Sequence, residues 1–356
     1  MLDLRADLVT LLCAITDVES VSGHERALAD LVEEALRACP HLVVERDQDT
    51  VVAQTRLGRS ERVVIAGHLD TVPVAGNLPA SVRTVDGEQR VYGRGTCDMK
   101  GGVAVALSLA QALTEPVRDI TWIFYDHEEV DAALNGLNRL SRTRPELLAG
   151  DFAVLMEPTA AGIEGGCQGT LRVAVRTSGR AAHSARSWLG SNAIHAAGEV
   201  LRRLEEYQPR QVDVDGLRYR EGMNAVAILG GVAGNVVPDR CEVVVNFRFA
   251  PDRDQAAACQ EVERLFAGYE VELLDFAPGS RPGLDHPAAA AFVVAVGGEP
   301  RPKYGWTDVA RFSAMGVPAV NFGPADPALA HTDDEYCPVA DLESCRSALE
   351  RWLGRA

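Results

Sequence analysis

Lysine is almost absent: the 356-residue chain has two, Lys100 and Lys303. Neither sits in a GK[ST] segment, so a phosphate-cradling P-loop is excluded. No run of 18 uncharged apolar residues occurs. The longest candidate, Gly101 to Leu113, contains Ser108 and Gln111 and is too short to span a bilayer. Basic side chains are outnumbered, 35 Lys plus Arg against 51 Asp plus Glu, and the formal charge of −16 disfavours a phosphate backbone as partner. Neither nucleic acid nor a membrane is therefore expected to bind. The eight cysteines are scattered with no CxxC pair, which excludes a zinc knuckle or dithiol redox motif. GxSxG is missing, and Gly93-Arg94-Gly95 lacks the third glycine of a dinucleotide fingerprint. The opening MLDLRADLVTLLCAITDVES mixes acids into its apolar positions without a basic start. It does not read as a signal peptide, and a cytoplasmic protein with reduced thiols is the expectation.

What is present is an ordinary apolar content, enough for one large or two modest cores. Short β-branched or aromatic runs, Arg62 to Ala66, Asp119 to Tyr125 and Phe152 to Met156, alternate with helical stretches such as Gly101 to Leu113. That alternation predicts an α/β sheet of mainly buried strands. Ser22-Gly23-His24-Glu25 has capping-box spacing ahead of an apolar helical face through Leu28, Leu31, Val32, Ala35 and Leu36. From about Leu171 the texture changes to β-α-β-β-α-β, the order of a ferredoxin-like sandwich, closed by the Pro- and Gly-rich PGSRPGLDHP. The α/β texture then resumes. The predicted organisation is one α/β domain, 1–170 plus 287–356, interrupted by a ferredoxin-like α+β insertion, 171–286.

Residues of metal-ligating type end the successive apolar runs: His68 and Asp70, Glu128 and Glu129, then Glu157. Asp98 sits in the Gly-rich turn GRGTCDMKGG. His68 to Asp98, Asp98 to Glu129 and Glu129 to Glu157 span 30, 31 and 28 positions, each about one βα unit. Sites in open α/β sheets form beyond the carboxyl ends of the strands. Carboxylates crowded there would repel and protonate unless one or two divalent cations joined them. Histidine plus carboxylate without thiolate suits Zn²⁺, Co²⁺ or Mn²⁺. A late histidine should complete the set, and His331, in ALAHTDDEY, is best placed. Each residue taken alone has a bland reading: a solvated His, a Glu pair favouring a helix N-terminus, an Asp in an Asx-turn. Their joint spacing argues for the metal site.

At these residues the chain resembles the M20 co-catalytic metallopeptidases. GHLDTVP, YGRGTCDMKGG, Glu128-Glu129, MEPT and His331 look like that family's five successive motifs. Within it, CQGTLRV, RAAHSARSWLGSNAIH, GGVAGNVVPD, NFRFAPD, KYGWTDVARF and LAHTDDE look closest to the actinobacterial branch that removes succinate from N-succinyl-LL-2,6-diaminopimelate. The resemblance implies a zinc-peptidase-like catalytic domain with an inserted lid that forms a homodimer. It implies two divalent metal ions, zinc by preference with cobalt as the alternative, with His68, Asp98 and Glu157 on one and Asp98, Glu129 and His331 on the other. Glu128 would be the general base and Asp70 the carboxylate orienting His68. The Asp98–Met99 peptide would be cis. His183 would come from the partner subunit to stabilise an oxyanion, and Asn235, Arg248 and Thr307 would contact a small N-acyl amino acid.

Two departures stand out. Asp126-His127 precede the Glu pair where small or hydroxyl residues are more usual, and Gly165-Gly166-Cys167-Gln168-Gly169-Thr170 replaces an Arg-rich stretch. The residue that takes the succinyl carboxylate is therefore open, with Arg172, Arg180 and Arg186 as alternatives. Other activities also stay open: acetylornithine deacetylase, aminoacylase or dipeptidase on the same scaffold, a catalytically silent metal-binding dimer, or a thiol hydrolase through Cys97.

Overall fold

The computed structural model describes residues 2–354. These form two compact units. The first runs through Gly165 and takes in Pro282–Arg301 and the chain from Asp308 onward; the second is Gly166–Arg281 with Pro302–Thr307.

The first unit is built on an eight-stranded mixed sheet. Its strand order is Val43–Asp47, Thr50–Gln54, Asp119–Tyr125, Arg62–His68, Phe152–Leu155, Ala319–Asn321, Glu164–Gly165 and Arg301–Pro302. Arg62–His68 lies in the middle, parallel to both neighbours, with His68 level with Tyr125 and Ala66 level with Leu155. Asp119–Tyr125 and Phe152–Leu155 are buried along their whole length, as parallel strands covered on both faces must be. Their carboxyl ends reach one rim together, and that rim is where the polar residues begin.

The helix Gly101–Ala112 is buried through Ala110 and carries only small and aliphatic residues apart from Ser108 and Gln111. It sits close to the chain just past Leu155, since a Cβ at Gly102 would lie 2.2 Å from the Met156 carbonyl oxygen. A side chain there would push the helix away from the rim. Phe152, Phe292 and Trp352 close the core beneath, with ring centroids 4.9 to 5.9 Å apart, the spacing of favourable aromatic pairs.

The expected capping box does not form. The helix Arg26–Arg37 starts after Glu25, whose backbone is already helical and whose side chain makes no cap bond. Ser22 Oγ instead donates to Asp70 Oδ2 at 2.7 Å, and the buried Glu25 carboxylate accepts from His127 N at 3.1 Å. Tertiary partners have taken both residues from the cap.

The second unit is a four-stranded antiparallel sheet in the order Gly222–Gly230, Arg240–Phe249, Gly169–Ser178, Glu270–Ala277, with helices Ala193–Glu205 and Gln255–Leu265. Chain order and strand order together are those of a ferredoxin-like sandwich. Leu171, Val173, Val175, Val243, Val245 and Phe247 turn inward against Ala197, Val200 and Val262 of the helices. Strand alternation puts Arg172, Asn246 and Arg248 on the opposite face. Among the described residues, no helix is long and apolar enough to cross a membrane.

Candidate metal centre

The rim of the first unit gathers its polar residues through strand register. His68 ends the central strand. Glu157 stands two residues past Leu155, as His68 stands two past its partner Ala66, so both reach the same level. Glu128 and Glu129 follow the strand on the other side. Asp98 arrives from the irregular turn Thr96–Lys100, where its backbone is extended (φ −118°, ψ 98°) and its peptide to Met99 is cis.

The Asp98 carboxylate lies between two imidazoles. Oδ1 is 3.1 Å from His68 Nε2 and Oδ2 is 3.4 Å from His331 Nε2. His331 Nε2 is also 3.0 Å from Glu129 Oε1. One donor atom each from His68, Asp98 and Glu129 falls within 4.8 Å of the others, a separation a single cation can bridge. His331 is held with φ +65°, a left-handed conformation that costs a β-carbon residue about 1–3 kcal/mol and is kept where its surroundings demand it.

Asp70 does more than face a histidine. Its wholly buried carboxylate lies 3.5 Å from His68 Nδ1, which is closer, at 2.9 Å, to the Asp70 carbonyl oxygen. The carboxylate accepts from the backbone N–H groups of both Glu128 and Glu129, each at 3.0 Å, and from Ser22. One side chain thus fixes the turn that aims the two glutamates.

Carboxylates outnumber imidazoles in the cluster, and that excess sets the direction of the pKa shifts. Burial alone would lower the His68 pKa, but the Asp98 hydrogen bond and the charges of Asp70, Asp98 and Glu128 raise it well above its ordinary value. The hydrogen bonds with Asp98 and Glu129 lift His331 to about 10. Burial would raise the Asp98 carboxyl, yet His331 and His68 hold it far below the usual carboxylate range. Glu128 goes the other way: burial pushes it up, the charges of Glu157, Asp308 and Glu129 add to that, and His68 opposes. This set of nitrogen and oxygen donors, from buried His68 through half-buried Asp98 and Glu129 to exposed His331, carries surplus negative charge and fits a hard or borderline divalent ion.

His127 is engaged elsewhere. Its Nδ1 is 2.8 Å from Asp126 Oδ2, and Asp126 is in turn held by Arg139 at 2.8 Å and by Thr50.

The remaining predicted residues belong to the second unit. His183 is exposed, and its Nδ1 accepts from Ala185 N at 3.1 Å, which puts the ring proton of the neutral form on Nε2. Asn235 is adjacent: its carbonyl accepts from Ser184 N at 2.9 Å where Ala182–His183 pairs with Val236–Val237. Arg248 is exposed, and its Nε donates to Asn246 Oδ1 at 3.2 Å. Among the described residues no carboxylate forms an ion pair with it. Thr307 is buried, and its carbonyl accepts from Cys167 Sγ at 3.7 Å. Sequence reasoning passed over Ser22, Arg94 and Glu335 as parts of the site. The last two were visible only as opposite charges inside two of the ligand motifs.

An α/β unit on a mixed sheet, with carboxylates and imidazoles gathered on its strand-end rim as a candidate metal centre and interrupted by a ferredoxin-like unit, is the architecture with which the comparisons agree. The model of peptidase family M20/M25/M40 matches residues 64–355, and the chain belongs to that family. It is 54% identical over 357 residues to a Mycobacterium tuberculosis protein with the provisional name succinyl-diaminopimelate desuccinylase DapE, covering 99% of this chain and 100% of that one. It is 46% identical over 363 residues to the succinyl-diaminopimelate desuccinylase of Corynebacterium glutamicum, covering 99% and 97%. Among solved structures, a Staphylococcus aureus tripeptidase superposes with a TM-score of 0.79 at 20% identity over 99% of this chain and 98% of that one. A Bacillus subtilis dinuclear metal-binding peptidase of the M20 family superposes with a TM-score of 0.70 at 17% identity, covering 98% and 97%.

Proposed function

We propose that the protein is a dinuclear metal amidohydrolase that cleaves N-succinyl-LL-2,6-diaminopimelate to succinate and LL-2,6-diaminopimelate in the cytoplasm. The observation that carries the chemistry is the Asp98 carboxylate between His68 and His331, with Glu129 beside it. The substrate reading is supported by the names of the two end-to-end relatives.

In this reading His68, Asp98 and Glu157 would hold one cation and Asp98, Glu129 and His331 the other, with zinc as the preferred metal at both and cobalt as the alternative. Bound there, the pair supplies Lewis acidity toward the amide carbonyl and lowers the pKa of water towards neutrality. Glu128 takes the proton of the attacking water at its carboxylate and returns it to the departing amine nitrogen as the C–N bond breaks. Its raised pKa suits both halves of that transfer. Asp70 keeps Glu128 and Glu129 in register through their two N–H bonds.

His183 of the partner subunit donates from Nε2 to the oxyanion, the tautomer its Ala185 bond favours. A homodimer through the lid is supported by the edge strand Gly222–Gly230, which leaves Val226, Ile228 and Leu229 exposed, followed by exposed Val232. Arg248, which pairs with no acid among the described residues, takes a substrate carboxylate, and Asn235 and Thr307 take polar groups. The test is a panel of N-succinyl-LL-2,6-diaminopimelate, N-acetylornithine and dipeptides on the zinc-loaded protein. The succinyl substrate should lead in kcat/KM by about tenfold to a hundredfold, the worth of one charge-assisted hydrogen bond. Faster turnover of an acetyl or dipeptide substrate overturns the substrate reading.

A further inference from the structure

Arg94 and Glu335 form a buried ion pair 241 positions apart in the chain, with Nη1 to Oε2 at 3.0 Å and 4% and 1% of their surfaces exposed. Strand pairing brings them together. Glu88–Tyr92 runs antiparallel to Tyr336–Pro338, so the residues flanking the paired ends, Arg94 and Glu335, meet beside the rim. Gly93 N donating to the Glu335 carbonyl at 3.2 Å closes the register.

Each partner then reaches a segment that carries a ligand. Glu335 Oε1 accepts from the backbone N–H groups of Cys97 and Asp98, each at 3.0 Å, which holds the irregular turn presenting the Asp98 carboxylate. Arg94 Nε donates to the Pro73 carbonyl at 3.0 Å, on the loop after His68 and Asp70. Its Nη1 donates to the Thr332 carbonyl at 3.1 Å, next to His331 with its left-handed backbone. Three loops that share no strand pairing at the rim are thereby tied to one guanidinium–carboxylate pair. The hydrogen bonds of the pair go to backbone groups of these segments and to no ligand side chain, while the Glu335 charge also faces Asp98.

We propose that Arg94 and Glu335 are positioning residues that fix the distance between His68, Asp98 and His331 and so set the affinity of the paired metal site. This rests on the reading of Asp98 as the bridging ligand. Glu335→Gln keeps the size of the side chain, but its amide cannot accept from Cys97 and Asp98 and also from Arg94, because one of its two ends is a donor. Arg94→Lys keeps the charge, but a single ammonium lacks the planar fork that serves Pro73, Thr332 and Glu335 together.

The test is calorimetric titration of the metal-depleted full chain with Zn²⁺, alongside kcat and KM of the loaded protein. Glu335→Gln should weaken zinc binding by about tenfold to a hundredfold, the usual effect of losing a residue that orients metal ligands, and lower kcat with KM within about twofold. Arg94→Lys should fall between it and the wild type. Leu36→Ala, a core truncation in the helix Arg26–Arg37, should lower thermal stability while leaving zinc affinity unchanged. If Glu335→Gln does not fold, Arg94→Lys is read in its place. Wild-type affinity in the folded variants, or an equal loss in Leu36→Ala, overturns the positioning role while leaving the metal reading intact. A wild-type chain that binds no zinc overturns both.

Discussion

Replacing Asp70 by Asn removes one charge and turns one acceptor into a donor at a point where three donors converge. Oδ1 accepts from Glu128 N, while Oδ2 accepts from Glu129 N and Ser22 Oγ. The serine hydroxyl can rotate to accept from an amide, but the backbone N–H groups cannot, so at least one of them loses its partner inside the protein. Losing a hydrogen bond to a charged group at a wholly buried site costs about 1.5–3 kcal/mol. The cost should appear first in the turn that those amides anchor. Hydrogen exchange read by mass spectrometry should show a peptide spanning 126–131 losing about one to two orders of magnitude of protection, with the strand Phe152–Leu155 unchanged. Turnover should fall about tenfold to a hundredfold, because Glu128 and Glu129 are no longer held together. Unaltered exchange at Glu128 and Glu129 together with wild-type kcat would refute the assignment of Asp70 as anchor of both glutamates.

Glu128→Ala should lower kcat by at least about 10² while zinc content, measured by atomic emission, stays at the wild-type level; loss of metal instead would make Glu128 a ligand. Arg248→Ala should raise KM for the succinyl substrate about tenfold or more with a smaller change in kcat, a result that steady-state kinetics separates from a fold defect. Asp119 tests the scaffold. Burial would raise its pKa, but the N–H groups of Leu57 and Arg59 and the Thr55 hydroxyl more than offset this and hold it below its ordinary 3.8. A folded pKa depressed in this way contributes stability that is fully present above 3.8 and lost as pH falls through the folded value. Asp119→Asn should therefore cost about 2 kcal/mol in urea unfolding at pH 7, and the gap to wild type should close below pH 3.8.

The residues gathered at the rim were visible in the sequence because they interrupt apolar runs. His68, Glu129 and Glu157 are conspicuous where Ile, Phe and Leu stop, and parallel pairing turns such stops into neighbours. The ferredoxin-like unit was legible for a related reason: its strands alternate, and its helices carry a clear apolar face. What stayed hidden depends on partners far away in the chain. Ser22 and Glu25 have the spacing of a cap, and no local signal says that Asp70 and His127 claim them instead. Arg94 and Glu335 show only as opposite charges until the pairing of Glu88–Tyr92 with Tyr336–Pro338 brings them together. The family resemblance makes Asp70 an orienter of His68, and its carboxylate's shorter contacts are to the Glu128 and Glu129 amides.

The most direct test is the zinc content of the purified chain after exhaustive dialysis, compared with Asp98→Ala. A carboxylate shared by two cations predicts two zinc ions per wild-type chain and at most one, weakly held, in the variant. Two tightly held ions in Asp98→Ala, or none in the wild type, would contradict it.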